Sequence, residues 1–225
     1  MRFEVELQLN EKLFVKNPQA TDFGRNLLKQ SICLIDEIGF EKFTFRKVAQ
    51  KLNTAEASVY RYFENKHHLL LYLTNWYWEW THYMIDRKTL NLTDPKKKLE
   101  MAIHLIANSL QEEALTSYID QKTLINIIIR EGSKSYHIHD IDEENKDGLF
   151  LSYKELVEKV AGFINEYNPK FKYKKSLVSN VFEMANNQIY FAEHLPRLTD
   201  IKDNKDEFDE LEKMIKYFVF TLIKK

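Results

Sequence analysis

The residues best suited to chemistry lie close together, between Thr44 and Lys66. From Lys42 to His68 the chain has six lysine or arginine residues and two glutamates, a local charge of +4. The whole chain has a formal charge of −1, which leaves −5 for the remainder. Positive charge concentrated in this way is typical of a surface that binds the phosphates of a nucleic acid.

Hydroxyl groups accompany this charge at helical spacing. Thr44 precedes an apolar stripe with the i, i+3, i+4, i+7 spacing of a short amphipathic helix. Its hydroxyl, together with the first amides of that helix, can bind a phosphate at the positive end of the helix dipole. Arg46 and Lys47 project from the same end, so the sequence predicts an anion-binding helix start.

A second short helix follows the break at Asn53-Thr54. Val59 and Phe63 lie one turn apart and predict its inner face. The remaining polar side chains then point outward, and they are Ser58, Tyr60, Arg61 and Tyr62. Two short helices separated by a tight break, with donors on the outer face of the second, predict a helix-turn-helix.

This stretch resembles the DNA-binding domain of the TetR family of bacterial transcriptional regulators. The matching residues run without gaps over about 45 positions: Gly39-Phe40, Thr44-Phe45-Arg46, Val48-Ala49, Val59-Tyr60-Arg61-Tyr62-Phe63 and Lys66. The resemblance implies that the second short helix enters the major groove of DNA. It also implies phosphate contacts by Tyr60, Tyr62 and Lys66, and base-edge contacts by Arg46, Glu56, Ser58 and Arg61.

Two positions depart from the family pattern. Ala55 stands where the family usually has a serine or threonine helix cap, although Thr54 can cap from one residue earlier. Glu56 stands where a basic or amide residue is common. An acid there either repels phosphates or accepts a hydrogen bond from a cytosine amine, and both readings stay open.

The elements around this segment predict an all-α fold of about nine helices. Few glycines and prolines interrupt the chain, and three short helices are followed by six longer ones. The expected domains are an arm at residues 1–18, a helix-turn-helix domain at 19–66, and an effector-binding and dimerisation domain at 67–225. The arm alternates apolar and polar residues from Phe3 to Leu9, which predicts either a β-hairpin or a flexible segment. Residues 133–148 are polar and predict a loop.

Aromatic residues crowd the helix that follows Lys66. Trp76, Trp80 and Tyr83 fall on one stripe. Apolar pockets between helices are the usual sites for small molecules, so these three side chains are candidates for contacting a small hydrophobic or aromatic effector. Packing in the core is the alternative for each of them.

The last two long helices predict a homodimer. The first carries two apolar stripes, which one subunit cannot easily cover, and the second has the 3-4-3-4 spacing of a helix bundle. The expected interface residues are Val181, Phe182, Ile189, Phe208, Leu211, Ile215 and Phe218.

Other features favour a regulator over an enzyme. We expect no catalytic residues, no cofactor and no metal, since His137 and His139 lie in a polar loop near Asp140, and the single cysteine, Cys33, suits a small buried position. No apolar run predicts a membrane span or signal peptide, so we expect a cytoplasmic protein. The resemblance implies a ligand-responsive repressor that binds a palindromic operator in double-stranded DNA as a dimer. The alternative is a helical small-molecule-binding or interaction protein on the same fold, with weakened DNA binding.

Overall fold

The computed structural model describes residues 6–109, 116–202, 204 and 206–224. Within these residues it contains ten α-helices and no strand, which confirms the all-α prediction. The helices are α1 (Asp22–Ile38), α2 (Phe45–Lys51), α3 (Glu56–Tyr60), α4 (Lys66–Thr89), α5 (Pro95–Ala107), α6 (Gln121–Glu131), α7 (Ile141–Lys146), α8 (Leu151–Tyr167), α9 (Lys174–His194) and α10 (Glu207–Leu222).

Short polar side chains and one glycine fix the boundaries of the first helices. The Thr21 hydroxyl accepts a hydrogen bond from the Gly24 amide at 3.0 Å and caps α1. Gly39 ends α1 with a φ of 77°, a conformation that other residues adopt only with strain. The Thr44 hydroxyl accepts from the Lys47 amide at 3.3 Å and caps α2. These caps explain why the helix-turn-helix begins where its sequence predicts.

The N-terminal segment is not a hairpin over the residues that the structure describes. Glu11–Leu13 forms a single 3-10 turn, capped by the Asn10 side chain. Leu7 and Leu13 are buried, so the apolar residues of this segment serve as anchors in the core. Phe3 and Val5, which contributed to the predicted alternation, lie outside the described residues.

Contacts divide the chain into two compact units. The first includes the described residues up to Glu79 and those from Thr116 to Ser152. In it α2 packs on α3, and α1 packs on both α2 and α6. Its core includes fully buried Leu28, Phe43 and Phe63. The helix-turn-helix therefore shares one core with α6.

The second unit includes Trp80 to Ser109 and the described residues from Tyr153 onward. Here α10 packs on α5 and α9 through its buried residues Leu211, Ile215 and Val219. Glu212 joins α10 to the end of α5 by accepting hydrogen bonds from His104 Nδ1 at 2.7 Å and Asn108 Nδ2 at 2.8 Å. Burial alone would raise the pKa of Glu212, but hydrogen bonds from Lys216 and His104 outweigh it and lower the pKa.

The region predicted as a loop at 133–148 contains a 3-10 turn at Gly132–Ser135 and the short helix α7. No residue of α7 is buried, so its sequence carries no apolar period that could have revealed it. The helix α5 ends at Ala107, with Asn108 as its C-cap. None of the helices described is both long and apolar enough to cross a membrane.

Candidate nucleic-acid interface

The helix-turn-helix is held together by a small apolar core. Val48 and Ala49 of α2 are buried, as are Val59 of α3 and Phe63 just after it. Phe45 and Tyr60 meet edge to face, with their ring centroids 5.0 Å apart. Burying this side of α2 and α3 leaves the opposite side of both helices to solvent.

Most of the predicted DNA-binding residues lie on that open side. Thr44, Arg46, Lys47, Tyr60 and Arg61 are exposed. Across the part of the chain that the structure describes, no carboxylate pairs with Arg46 or Arg61. These two guanidinium groups are free to bind anions or the edges of bases.

Glu56 and Ser58 begin α3 and are half-buried. The Thr54 hydroxyl donates to the Ser58 hydroxyl at 3.1 Å. Ala55 occupies the cap position, and no side chain bonds to the first amides of α3. The expected capping by Thr54 is therefore wrong, because its hydroxyl is engaged by Ser58.

Tyr62 does not lie on the outer face as the sequence predicted. It is 5% exposed, and its hydroxyl is 2.8 Å from the Thr21 hydroxyl. The reason is the spacing: Tyr62 lies three residues after Val59 and so shares its inner face, and the turn continues past Tyr60, since the Phe63 amide still donates to the Val59 carbonyl oxygen at 3.2 Å. The Tyr62 ring packs on Phe23 instead, at 5.5 Å between centroids.

Lys66 also points into the protein. Its ammonium donates hydrogen bonds to the carbonyl oxygens of Phe40 and Glu41, both at 3.1 Å, and lies over the Phe40 ring. Lys66 thus fastens the start of α4 to the loop between α1 and α2.

Two further residues, which sequence reasoning missed, hold the same loop. Glu131 Oε1 accepts from the Phe40 amide at 3.2 Å, and Lys134 bridges Glu131 at 2.7 Å and Glu41 at 2.9 Å. Hydrogen bonds to Glu131 and Glu41 raise the pKa of Lys134, and the bond from Lys134 lowers the pKa of Glu41. Some 90 residues separate these partners, so no local pattern signals the contact.

The three residues predicted to contact an effector all lie on α4, and they differ in how deeply they are buried. Trp76 and Trp80 are each 1% exposed, whereas Tyr83 is half-buried. Among the residues described, no group of three potential metal ligands occurs. His139 bonds to the neighbouring Asp140, which raises the pKa of the histidine.

The predicted dimer residues differ in how deeply they are buried in the second unit. Leu211 and Ile215 are buried inside it together with Phe182 and Ile189, whereas Phe208 is half-buried and Phe218 is 42% exposed. A groove of about 340 Å³ separates the outer faces of α9 and α10. Its apolar lining comprises Leu177, Val181, Met184, Tyr217, Phe218 and Leu222.

Residues 27–73 match the family model described as bacterial regulatory proteins, tetR family. This segment of the chain is therefore similar to the tetR family of bacterial regulatory proteins. The match runs from the middle of α1 into the first turns of α4 and includes every residue of the helix-turn-helix. No curated protein matches the chain in sequence.

Solved structures share this TetR-like fold at low sequence identity. AibR in complex with isovaleryl coenzyme A and operator DNA is 12% identical, with a TM-score of 0.59 over 86% of this chain and 97% of that one. The fatty acid degradation regulator FadR from Bacillus halodurans is 16% identical, with a TM-score of 0.59 over 88% and 93%. A transcriptional regulator from Saccharomonospora viridis in complex with choline is 14% identical, with a TM-score of 0.57 over 87% and 94%. Likeness at this identity extends to the fold alone, and the match to the tetR family model is confined to residues 27–73.

Proposed function

We propose that this chain is a ligand-responsive repressor of the TetR family that binds a palindromic DNA operator as a homodimer. The observation that carries the proposal is the open face of α2 and α3. Arg46, Arg61 and Tyr60 are all exposed there, and neither guanidinium group pairs with a carboxylate among the residues that the structure describes. A helix of this kind fits the major groove, with its first residues against base edges.

We assign the predicted DNA-binding residues to three groups. Arg46, Arg61, Glu56 and Ser58 read or flank base edges. Thr44, Lys47 and Tyr60 bind phosphates. Tyr62 and Lys66, whose polar groups are already bonded inside the protein, act by placing the helices.

Dimerisation is assigned to the outer groove of α9 and α10. The apolar side chains of Phe218, Leu222 and Tyr217 are exposed by 42%, 58% and 69% in the isolated chain. Pairing this groove with its copy about a two-fold axis would bury all three and form a four-helix interface. The two-fold axis would also present two copies of α3 to a palindromic site.

Ligand responsiveness is supported by solved structures that have the same fold. Two structures that share it hold small molecules, isovaleryl coenzyme A in one and choline in the other, and the first also holds operator DNA. We assign effector contact in this chain to Trp76, Trp80 and Tyr83 of α4, and expect a small hydrophobic or aromatic compound. Such a ligand releases DNA only if it binds the DNA-incompetent state more tightly, and about 3 kcal/mol of difference lowers operator affinity roughly 100-fold.

Selection of DNA in vitro tests the first part of the proposal. The full-length protein is expected to enrich one palindromic duplex from a random pool, and Arg61→Ala should relax the sequence preference at one position per half-site. An Arg61→Lys variant keeps the charge but loses the bidentate geometry, so it should retain affinity better than specificity. A pool that stays random after repeated selection would contradict DNA recognition.

A panel of lipophilic compounds then tests the regulatory part. Compounds are screened by the shift they cause in melting temperature, and each hit is added to the protein bound to the selected duplex. A hit that binds tightly and leaves operator affinity unchanged would contradict ligand control.

A further inference from the structure

The N-terminal segment makes a direct hydrogen bond to the backbone just after the end of α3. The Val15 amide donates to the Tyr62 carbonyl oxygen at 2.8 Å. Next to this bond, the Lys16 ammonium lies 5.5 Å from the centre of the Tyr62 ring. Tyr62 follows the last residues of α3, so this segment holds the C-terminal end of that helix.

The other end of the segment is bonded to the corner between α7 and α8. Asn10 Nδ2 donates to the Asp147 carbonyl oxygen at 3.1 Å, and Lys12 Nζ pairs with the Asp147 carboxylate at 2.6 Å. Gly148 has a φ of 78°, and a Cβ there would lie 3.2 Å from Asn10 Nδ2. The corner is thus shaped for close approach of the segment.

Between its two ends the segment is held by Leu13, which is fully buried. A cavity of about 560 Å³ adjoins it, lined by Leu13 and Phe14 together with His68 and Glu144. The segment therefore runs from α3 to the α7–α8 corner along the wall of a cavity. We call residues Asn10–Lys16 the strap.

We propose that the strap consists of positioning residues for DNA recognition, which tie the C-terminal end of α3 to Asp147. This inference rests on the proposed function for its effect on DNA. Two features favour placement over bulk stability as its role. The Lys12–Asp147 pair is 61% and 53% exposed, and ion pairs so exposed add little to the stability of a fold. The helix α3 has five residues and no side-chain cap, so its position depends on the segments packed beside it.

Hydrogen–deuterium exchange of the full-length protein, without DNA, tests the placement. Val15→Pro removes the amide donor, and the preceding Phe14 is already extended, with φ of −149° and ψ of 153°, as a residue before proline requires. Val15→Ala is the matched control, since it keeps the amide and removes a side chain that is 60% exposed. We expect exchange over residues 56–63 to become roughly five- to tenfold faster in Val15→Pro and to stay unchanged in Val15→Ala.

Variants at the far end keep the test open if the proline variant does not fold. Lys12→Ala, Asp147→Ala and their double variant all change exposed side chains. Each should speed exchange over residues 56–63 to a similar, smaller extent, and the double variant should add nothing further, because both single changes break the same bond. Unchanged exchange over residues 56–63 in both single variants would overturn the proposed positioning role of the strap.

Binding to the selected operator duplex distinguishes positioning from direct DNA contact. Lys12→Ala and Asp147→Ala should weaken binding by similar factors, with the slope of log affinity against log salt unchanged. A slope lowered by about one in Lys12→Ala, with Asp147→Ala binding normally, would place the Lys12 ammonium on a phosphate and overturn the proposal. A wild-type protein that selects no operator contradicts the proposed function alone, because the exchange comparison uses no DNA.

Discussion

The Lys66 ammonium lies 4.7 Å from the centre of the Phe40 ring and donates a hydrogen bond to the Phe40 carbonyl oxygen. A second bond reaches the Glu41 carbonyl oxygen. This half-buried lysine therefore joins α4 to the loop before α2. The family resemblance implied a phosphate contact for the same residue, and the two roles make different predictions.

Replacing Lys66 with alanine should destabilise the fold and weaken operator binding together. Losing two hydrogen bonds from a charged donor should lower the free energy of unfolding by about 1–3 kcal/mol. The salt dependence of DNA binding should stay the same, since no phosphate contact is lost. Chemical denaturation and a salt titration of operator affinity measure both effects.

Lys42→Ala is the control for Lys66, because Lys42 is exposed on the same loop and its change should leave stability unaltered. A salt slope that falls by about one in Lys66→Ala, with normal stability, would restore the phosphate role.

The outer and inner faces of α10 should respond differently to a charge. Phe218→Asp places a carboxylate in the proposed interface, where burying it unpaired costs several kcal/mol, so the variant should be a folded monomer. Ile215→Asp buries the same charge inside the subunit, where the side chain is 0% exposed, and should unfold the protein. Sedimentation and circular dichroism separate the two results. A Phe218→Asp protein that sediments as a dimer would contradict the assignment of the dimer interface to the outer face of α10.

Two buried tyrosines should give stability changes of opposite sign. The Tyr72 hydroxyl is buried and has no hydrogen-bond partner within the described part of the chain, and burial raises the pKa of this phenol well above its ordinary range. Tyr72→Phe removes an unpaired polar group, so the free energy of unfolding should rise by about 1 kcal/mol.

Tyr118→Phe is the matched control for Tyr72. The Tyr118 hydroxyl donates to Gln19 Oε1 at 2.9 Å, and its loss should destabilise the protein by about 1–2 kcal/mol. Urea denaturation of both variants provides the comparison. Destabilisation by Tyr72→Phe would mean that its hydroxyl is satisfied in solution.

Replacing two helical glycines with alanine should also change stability in opposite directions. Alanine usually stabilises a helix by about 0.5–1 kcal/mol relative to glycine. Gly162 of α8 has open space where a Cβ would stand, so Gly162→Ala should show this gain. A Cβ on Gly24 of α1 would lie 2.6 Å from the Pro18 Cα, so Gly24→Ala should destabilise the protein and loosen the turn before α1. Equal effects in thermal melts would argue against the close approach of Pro18.

The sequence predicted best where the determinants are local. Thr44 and Gly39 each act on backbone within a few residues, so α1 and α2 began or ended as expected. The prediction for Tyr62 was wrong because a residue three positions after the buried Val59 lies on the same face of the turn. The inward turn of Lys66 depends on carbonyl groups about 25 residues away, which no helical period contains.

The α10 seam shows a second limit. Leu211, Ile215 and Phe218 follow one apolar spacing, yet the first two pack inside their own subunit and the third faces solvent. Periodicity identifies an apolar face but not the partner that covers it. Only the packing of α10 on α5 and α9 separates the two faces.

The burial of the three tryptophans has a spectroscopic consequence. The chain has tryptophan only at positions 76, 78 and 80, all within α4 and all at most 4% exposed. The intrinsic fluorescence of the native protein therefore reports on five residues of a single helix. Its emission should be blue-shifted and resistant to quenching by iodide. A change in that emission on adding a compound would locate the response on α4 without any label.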